Sequence, residues 1–233
     1  VYKRQVYSPY TGASYITGTT LTPLTNQTWD GAGPATPYGG SARVQIKAKS
    51  GLNSPVIQGG SGVDHVTMRN LCIQGRNASG SKGVYVVDGD RWLIENCVFD
   101  TFGDQAVHQA AGVAFTMRRC YIDNALLVTT GRAAYVGAVQ IDGQDFRLDD
   151  VEAGAPSSSF GDGYRAAIYV SGGAGTVINC IGQLSEVGIV ASGQANRLIA
   201  NRADINYGHG FVISGGTNSV IANNICLLYT SPR

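Results

Sequence analysis

Apolar and polar residues alternate along most of this chain, and one short phrase in that alternation keeps returning: apolar-x-apolar-polar-Asn-apolar-x-apolar. It reads Val66-Thr67-Met68-Arg69-Asn70-Leu71-Cys72-Ile73, then Trp92-Leu93-Ile94-Glu95-Asn96-Cys97-Val98-Phe99. Phe115-Thr116-Met117-Arg118-Arg119-Cys120-Tyr121-Ile122 and Phe146-Arg147-Leu148-Asp149-Asp150-Val151-Glu152-Ala153 are further copies, and looser ones follow at Asn179-Cys180, Asn201 and Asn223. The anchors are 22 to 31 residues apart. Self-similarity at such a period is the mark of stacked repeats.

Alternation within each copy is strand periodicity. The Asn or its substitute interrupts it, and Asn tolerates the left-handed backbone of a bend. Each phrase therefore predicts two short strands joined by a corner. A third strand lies between phrases: Gly83-Val84-Tyr85-Val86, Ala106-Val107-His108, Ala138-Val139-Gln140-Ile141, Ala167-Ile168-Tyr169-Val170, Gly188-Ile189-Val190-Ala191 and Gly210-Phe211-Val212-Ile213. One such unit cannot bury its apolar face alone, but stacked units can. The predicted fold is all-β, a parallel β-helix wound as a single-stranded solenoid, right-handed by the crossover rule. Leu71, Cys97, Cys120, Val151 and Cys180 then share one inward column. No amphipathic helical segment stands out, and 32 glycines argue against long helices.

Charge removes several function classes. The net charge is +1 and charged residues are 14% of the 233, so no nucleic-acid footprint is present. No stretch is long and apolar enough to span a membrane as a helix. The five cysteines lack metal-site spacing and read as core thiols, with Cys97 and Cys120 near enough on adjacent coils for a disulfide as the alternative.

Counting four residues past each anchor gives Gln74, Asp100, Asp123, Gly154 and Gln183. Asp100 and Asp123 should therefore point outward from adjacent coils at one strand spacing, about 4.8 Å. Two carboxylates so close raise one pKa, which suits acid/base work on a glycosidic bond; solvated turn carboxylates are the plain alternative. Glu152 points outward nearby as a third candidate. The acidic run Asp142, Asp145, Asp149, Asp150 and Glu152 offers oxygen ligands for Ca²⁺, but its spacing matches no calcium loop, so no cofactor is expected. On the third strands, Tyr85, His108, Gln140 and Tyr169 should form an outward stripe. Aromatic rings and hydrogen-bonding groups in one column suit the apolar faces and hydroxyls of sugars.

Residues 6–62 differ from the regular coils of 63–225. Tyr15-Ile16-Thr17-Gly18-Thr19-Thr20-Leu21, Trp29-Asp30-Gly31-Ala32-Gly33, Val44-Gln45-Ile46-Lys47-Ala48 and Pro55-Val56-Ile57 together resemble the opening coils of the pectate-lyase superfamily. That resemblance covers 6–225 as one domain and implies the right-handed β-helix, an extracellular setting, and a lyase or glycoside hydrolase acting on polysaccharide. Gly208-His209-Gly210 followed by Phe211-Val212-Ile213-Ser214 is similar to a segment of polygalacturonase-type hydrolases and makes His209 a fourth catalytic candidate. The Asp-Asp pair those enzymes carry one coil upstream is replaced by Ser185-Glu186-Val187-Gly188. Phe99-Asp100-Thr101-Phe102-Gly103-Asp104 resembles turns of phage tail proteins, which are commonly homotrimers. A virion or cell-surface adhesive module thus stands beside the secreted enzyme, with a polysaccharide or cell-surface glycan as partner of either. Residues 1–5 and 226–233 resemble the translated strands of a sequencing-library adapter and are expected to lie outside the domain.

Overall fold

A computed structural model describes residues 5–7, 14–31, 44–126, 135–155 and 164–227, with backbone alone at 5–7. It is a parallel β-helix whose coils each contribute up to three strands. The first face stacks Thr67–Arg69, Leu93–Glu95, the start of Thr116–Asp123, the start of Arg147–Gly154, Thr176–Ile178 and Arg197–Ile199. The second stacks Leu71–Gln74, Val98–Asp100, the ends of the two long strands, Ile181–Gln183 and Arg202–Asp204. The third runs through Ile57–Gly59, Val84–Val86, Val107–Gln109, Val136–Ile141, Arg165–Val170, Val187–Ala191 and His209–Ile213. Earlier strands lead into the first two columns within the distinct opening segment, Gln5–Tyr7 and Thr28–Asp30 into the first, Ser14–Thr17 and Val44–Ala48 into the second. The second column continues to Ile225–Leu227, two residues past the expected domain boundary at 225.

The interrupting residue of each phrase is the corner between the first two faces. Asn70, Asn96, Arg119, Asp150, Asn179, Ala200 and Asn223 all have left-handed backbones, with φ between 51° and 59°. Outside Gly, that conformation costs roughly 1–2 kcal/mol per residue. It is offset because the corner N–H reaches the next coil: Asn70 N donates to Glu95 O at 3.1 Å, Asn96 N to Arg118 O at 3.1 Å, and Asn179 N to Ile199 O at 3.2 Å. One copy departs from the expectation. Ala200, not Asn201, takes the corner, and Asn201 turns inward, 1% exposed, in the column of Cys97, Cys120, Val151 and Cys180. Its Nδ2 donates to Val177 O and Asn224 Oδ1, and its Oδ1 accepts from Cys180 N, all at 2.9 Å. Asn196 and Asn206 bridge to the coil beneath in the same way, from positions after the left-handed Ala195 and Ile205.

The interior is a set of apolar columns. Met68, Ile94, Met117, Leu148, Val177 and Leu198 are all fully buried and in register. Large residues face small ones: Phe99 and Phe102 lie against Gly83, and Phe102 fills the space above Gly75. Cys97, Cys120 and Cys180 are free thiols that donate to backbone oxygens two residues back, each at 3.3 Å. Burial pushes the Cys180 thiol up to about 12, as expected for packing residues rather than nucleophiles.

The bend from the third face back to the first is a second constraint. Gly112, Gly143, Gly172 and Gly193 stack so closely that a Cβ on any of them would strike the carbonyl oxygen of the glycine one coil back. Backbone cannot move aside as a side-chain tip can, so overpacking here distorts the ladder itself. Gly172→Ala should therefore lower stability by about 1–3 kcal/mol, read as a reduced urea midpoint. An unchanged midpoint would mean that this bend opens freely.

Candidate functional site

The third face carries the richest side-chain network. Val84, Val107, Val139 and Ile168 are buried, so the residue after each points outward. Tyr85, His108, Gln140 and Tyr169 are consecutive partners in register, as the spacing predicts, and the column continues to Val190 and Val212. The column binds to itself. Tyr85 and His108 have ring centroids 5.1 Å apart. Lys82 Nζ lies 4.4 Å above the Tyr85 ring and 3.3 Å from His108 Nδ1. On the other side, His108 Nε2 is 2.9 Å from Asp142 Oδ2.

These partners assign the tautomer. An ammonium has only hydrogens to give, so Lys82 makes His108 Nδ1 the acceptor, and Nε2–H donates to Asp142. Gln140 Nε2 donates to the same Oδ2 at 2.8 Å, and Ser171 Oγ donates to Oδ1 at 2.5 Å. Gln105 Nε2 holds Gln140 Oε1 at 3.1 Å. Burial alone would raise the Asp142 carboxyl. Hydrogen bonds from His108, Ser171 and Gln140 outweigh it and hold the group below its ordinary value. The side chains of His108 and Asp142 are 12% and 25% exposed, so the row is sheltered and still reachable.

A second group lies where the second face ends. Asp100 and Asp123 are register partners on adjacent coils, with Gln74 on the other side of Asp100. Asp100 accepts from Gln74 Nε2 at 3.1 Å, Thr101 Oγ1 at 2.9 Å and Asn124 Nδ2 at 3.2 Å. Asp123 is pushed up by burial first and by the Asp100 charge second. Glu152 sits one coil on and two positions back, where its Oε1 accepts from Gln183 Nε2 at 2.6 Å. With Asn96, Arg119, Tyr121 and Asp150 it lines a cleft of about 250 Å³.

His209 does not join these acids. It opens its strand on the third face, exposed and in register with Val187, three coils beyond Asp123. The acidic run does not gather either. Asp142 faces the third side, and Asp145 and Asp150 occupy left-handed corners. Asp149 pairs with Arg147 at 2.7 Å on the first face, and Glu152 belongs to the second. Among the described residues, no three His, Cys, Asp or Glu side chains form a metal set. Sequence reasoning missed Lys82, Ser171 and the pairing of Asp142 with His108. A signal for Asp142 was present: it lies two residues past Gln140, on the same side of an extended chain.

No protein-family model matches the sequence, and no curated protein matches it. Solved structures do match. The A-module of the mannuronan C-5 epimerase AlgE4 from Azotobacter vinelandii aligns over 91% of this chain and 66% of its own, with TM-score 0.63 and 13% identity. PfbA, a surface adhesin of Streptococcus pneumoniae, aligns over 91% of this chain and 63% of its own, with TM-score 0.69 and 12% identity. The chain thus spans just under two thirds of either, and at such identities the likeness is one of fold, shared by a polysaccharide-acting enzyme and an adhesin. No described helix is long and apolar enough to cross a membrane.

Asp123 gives a pH-dependent prediction. Its folded-state carboxyl is raised, so above both pKa values its charge disfavours the folded state. Below the unfolded value both states are protonated and the penalty is gone. Asp123→Asn should therefore raise the melting temperature at pH 7, by roughly 1–2 °C for a partly exposed pair, and change nothing near pH 3. A variant melting with the wild type at both pH values would mean that neither burial nor Asp100 raises the Asp123 carboxyl.

Proposed function

We propose that the third face binds an acidic polysaccharide, and that Lys82, His108 and Asp142 form a proton-transfer centre acting at the carbon beside a uronate carboxylate. The observation that carries this reading is the row Lys82 Nζ, His108, Asp142 set across an outward column of sugar-compatible side chains. Proton removal next to a carboxylate needs a base and a cation to take up the charge that develops on the carboxylate oxygens. His108 is a base whose reactive nitrogen, Nδ1, is capped by Lys82. A substrate carboxylate that pairs with the Lys82 ammonium draws it off Nδ1 and frees that lone pair. The sugar C–H proton then moves to Nδ1, and Asp142 stabilises the imidazolium through Nε2–H, the orienting role a carboxylate plays behind a catalytic histidine. In an elimination the neighbouring C–O bond breaks and the departing glycosidic oxygen takes up the imidazolium proton; in an epimerisation the carbon takes a proton from water on the opposite face, and the imidazolium returns its own proton to solvent. The Tyr85 ring offers a stacking surface, and Gln140 and Tyr169 supply hydrogen bonds. That a mannuronan C-5 epimerase module has this fold adds support from a polymer-acting enzyme.

A second reading rests on Asp100 and Asp123. Carboxyl groups about 5–5.5 Å apart suit retaining glycoside cleavage. Asp123, whose carboxyl is raised, would be the acid, Asp100 the nucleophile, and Glu152 a substrate contact. A third reading, glycan adhesion without chemistry, draws on the likeness to an adhesin.

One experiment separates them. The protein is incubated with a panel of soluble polyuronates and neutral polysaccharides. Ultraviolet absorbance of unsaturated ends, proton NMR of epimers and new reducing ends are followed. The expected result is unsaturation or epimerisation of a polyuronate, reduced about 10²–10⁴-fold in His108→Ala and in Asp142→Asn and kept in Asp100→Asn. Reducing ends without unsaturation, lost in Asp100→Asn, would move the chemistry to the carboxylate pair. Glycan binding with no product would leave adhesion.

A further inference from the structure

Past His108 and Gln140, the outside of the third face changes character. Ala166, Val187 and Val190 form an apolar cluster separate from the solenoid core, and Tyr135, Tyr169 and Val212 pack over it. Val190 lies in the outward column yet is fully buried. Outward positions on a solvated face are ordinarily polar, so a buried outward valine marks a built surface feature. Three tyrosines make that feature. Tyr135 and Tyr164 precede neighbouring strands and meet edge to face, with centroids 5.4 Å apart and planes at 74°. Tyr135 and Tyr169 lie 6.3 Å apart at 47°. Tyr169 is further tied by its hydroxyl to Ser192 Oγ at 3.2 Å. Tyr164 is 39% exposed although it is large and aromatic.

We propose that Tyr135, Tyr164 and Tyr169 form a sugar-stacking subsite, distinct from the Lys82–His108–Asp142 centre, for the stretch of polysaccharide beyond the reacting residue. The inference rests on the polysaccharide reading of the third face and extends it. Rings held against an apolar base lose little freedom when a sugar stacks on them. The hydroxyls and amides interleaved with them, Tyr169 OH, Ser192 and Gln140, match the alternation of apolar faces and hydroxyls on a pyranose chain. The occupant is also fixed by direction. Tyr169 continues the column that holds Tyr85 and His108, three coils from Tyr85 along the solenoid axis, and Tyr135 and Tyr164 flank it from the starts of their strands, two and three coils from Tyr85. At about 4.8 Å per coil, three coils are about 14 Å, the length of a few sugar units. The ligand therefore lies along the axis, with its carboxylate-bearing reacting unit at Lys82 and its distal units on the tyrosines.

The test is calorimetric titration with a ladder of oligouronates from disaccharide to octasaccharide, using the full chain, Tyr164→Ala and Lys82→Ala. Matched melting temperatures establish that each variant is folded. In the wild type, affinity should climb with length until the ligand reaches the platform. Tyr164→Ala should flatten that climb, weakening the longest ligand about tenfold and leaving the disaccharide unchanged. Lys82→Ala should weaken every length. Wild-type affinity for the octasaccharide in Tyr164→Ala would overturn the platform, and loss only in Lys82→Ala would leave the centre standing. Loss in Tyr164→Ala with none in Lys82→Ala would do the reverse. No binding by the wild type at any length would overturn both.

Discussion

Everything in this molecule depends on one repeated contact: each coil sits on the last in parallel register, at one strand spacing. Two local devices hold that spacing. At the corner between the first two faces, a left-handed residue aims its N–H at the neighbouring coil, so backbone strain within a coil becomes a hydrogen bond between coils. At the bend back to the first face, stacked glycines let backbones approach within a distance that no Cβ permits. Neither device depends on the identity of the side chains around it, which leaves the outward positions free for other work.

Register turns sequence positions into columns, and the chemistry of a column is the chemistry of near neighbours. The first face manages charge by alternation. Asp30, Arg69, Glu95, Arg118 and Asp149 are successive register partners, and Arg69–Asp30 and Arg118–Glu95 close at 2.8 and 3.0 Å. Opposite charges on adjacent strands stabilise a sheet and like charges destabilise it. Against that background Asp100 above Asp123 is an exception, two like charges accepted where alternation was available. Three hydrogen bonds to Asp100 and a raised Asp123 are how the structure tolerates it.

Columns are also why so much was readable in advance. The anchor phrase recurs with its apolar offsets intact, so counting from it placed Cys97 on Cys120, Asp100 on Asp123 and Tyr85 on His108 without any knowledge of the turns between. Counting fails where the anchor slides. At Asn201 the interior itself prefers an amide that bridges coils, so the asparagine moves in and an alanine bends. Asn196, Asn201 and Asn206, five apart, were the visible sign of that change. Counting also fails across corners. Five acids within eleven residues look like a cluster in one dimension, and winding spreads them over three faces. Conversely, Lys82 and Asp142 are 60 residues apart in sequence and share one histidine. Their meeting depends on side-chain reach from the ends of strands, which periodicity does not encode. The connections through residues 127–134 and 156–163 lie outside the described residues, though Tyr135 and Tyr164, which follow them, are described.

Fold alone leaves open whether such a face binds or reacts, since an epimerase and an adhesin share the winding. The side chains argue for reaction at His108. A purely adhesive surface gains from exposed, independently mobile hydrogen-bonding groups. Here the imidazole is sheltered and held at both nitrogens, with a carboxylate on one and a cation on the other. Desolvating three polar groups to hold one ring still is costly unless the ring's lone pair is used, because each group could be hydrated in the open at less expense. The carboxylate pair lacks that organisation: Asp100 is bound by three donors, which occupy the lone pairs a nucleophile would need. Under the proposed function, orientation falls on the histidine, and the tyrosines beyond it would give a long ligand a reason to arrive in only one alignment.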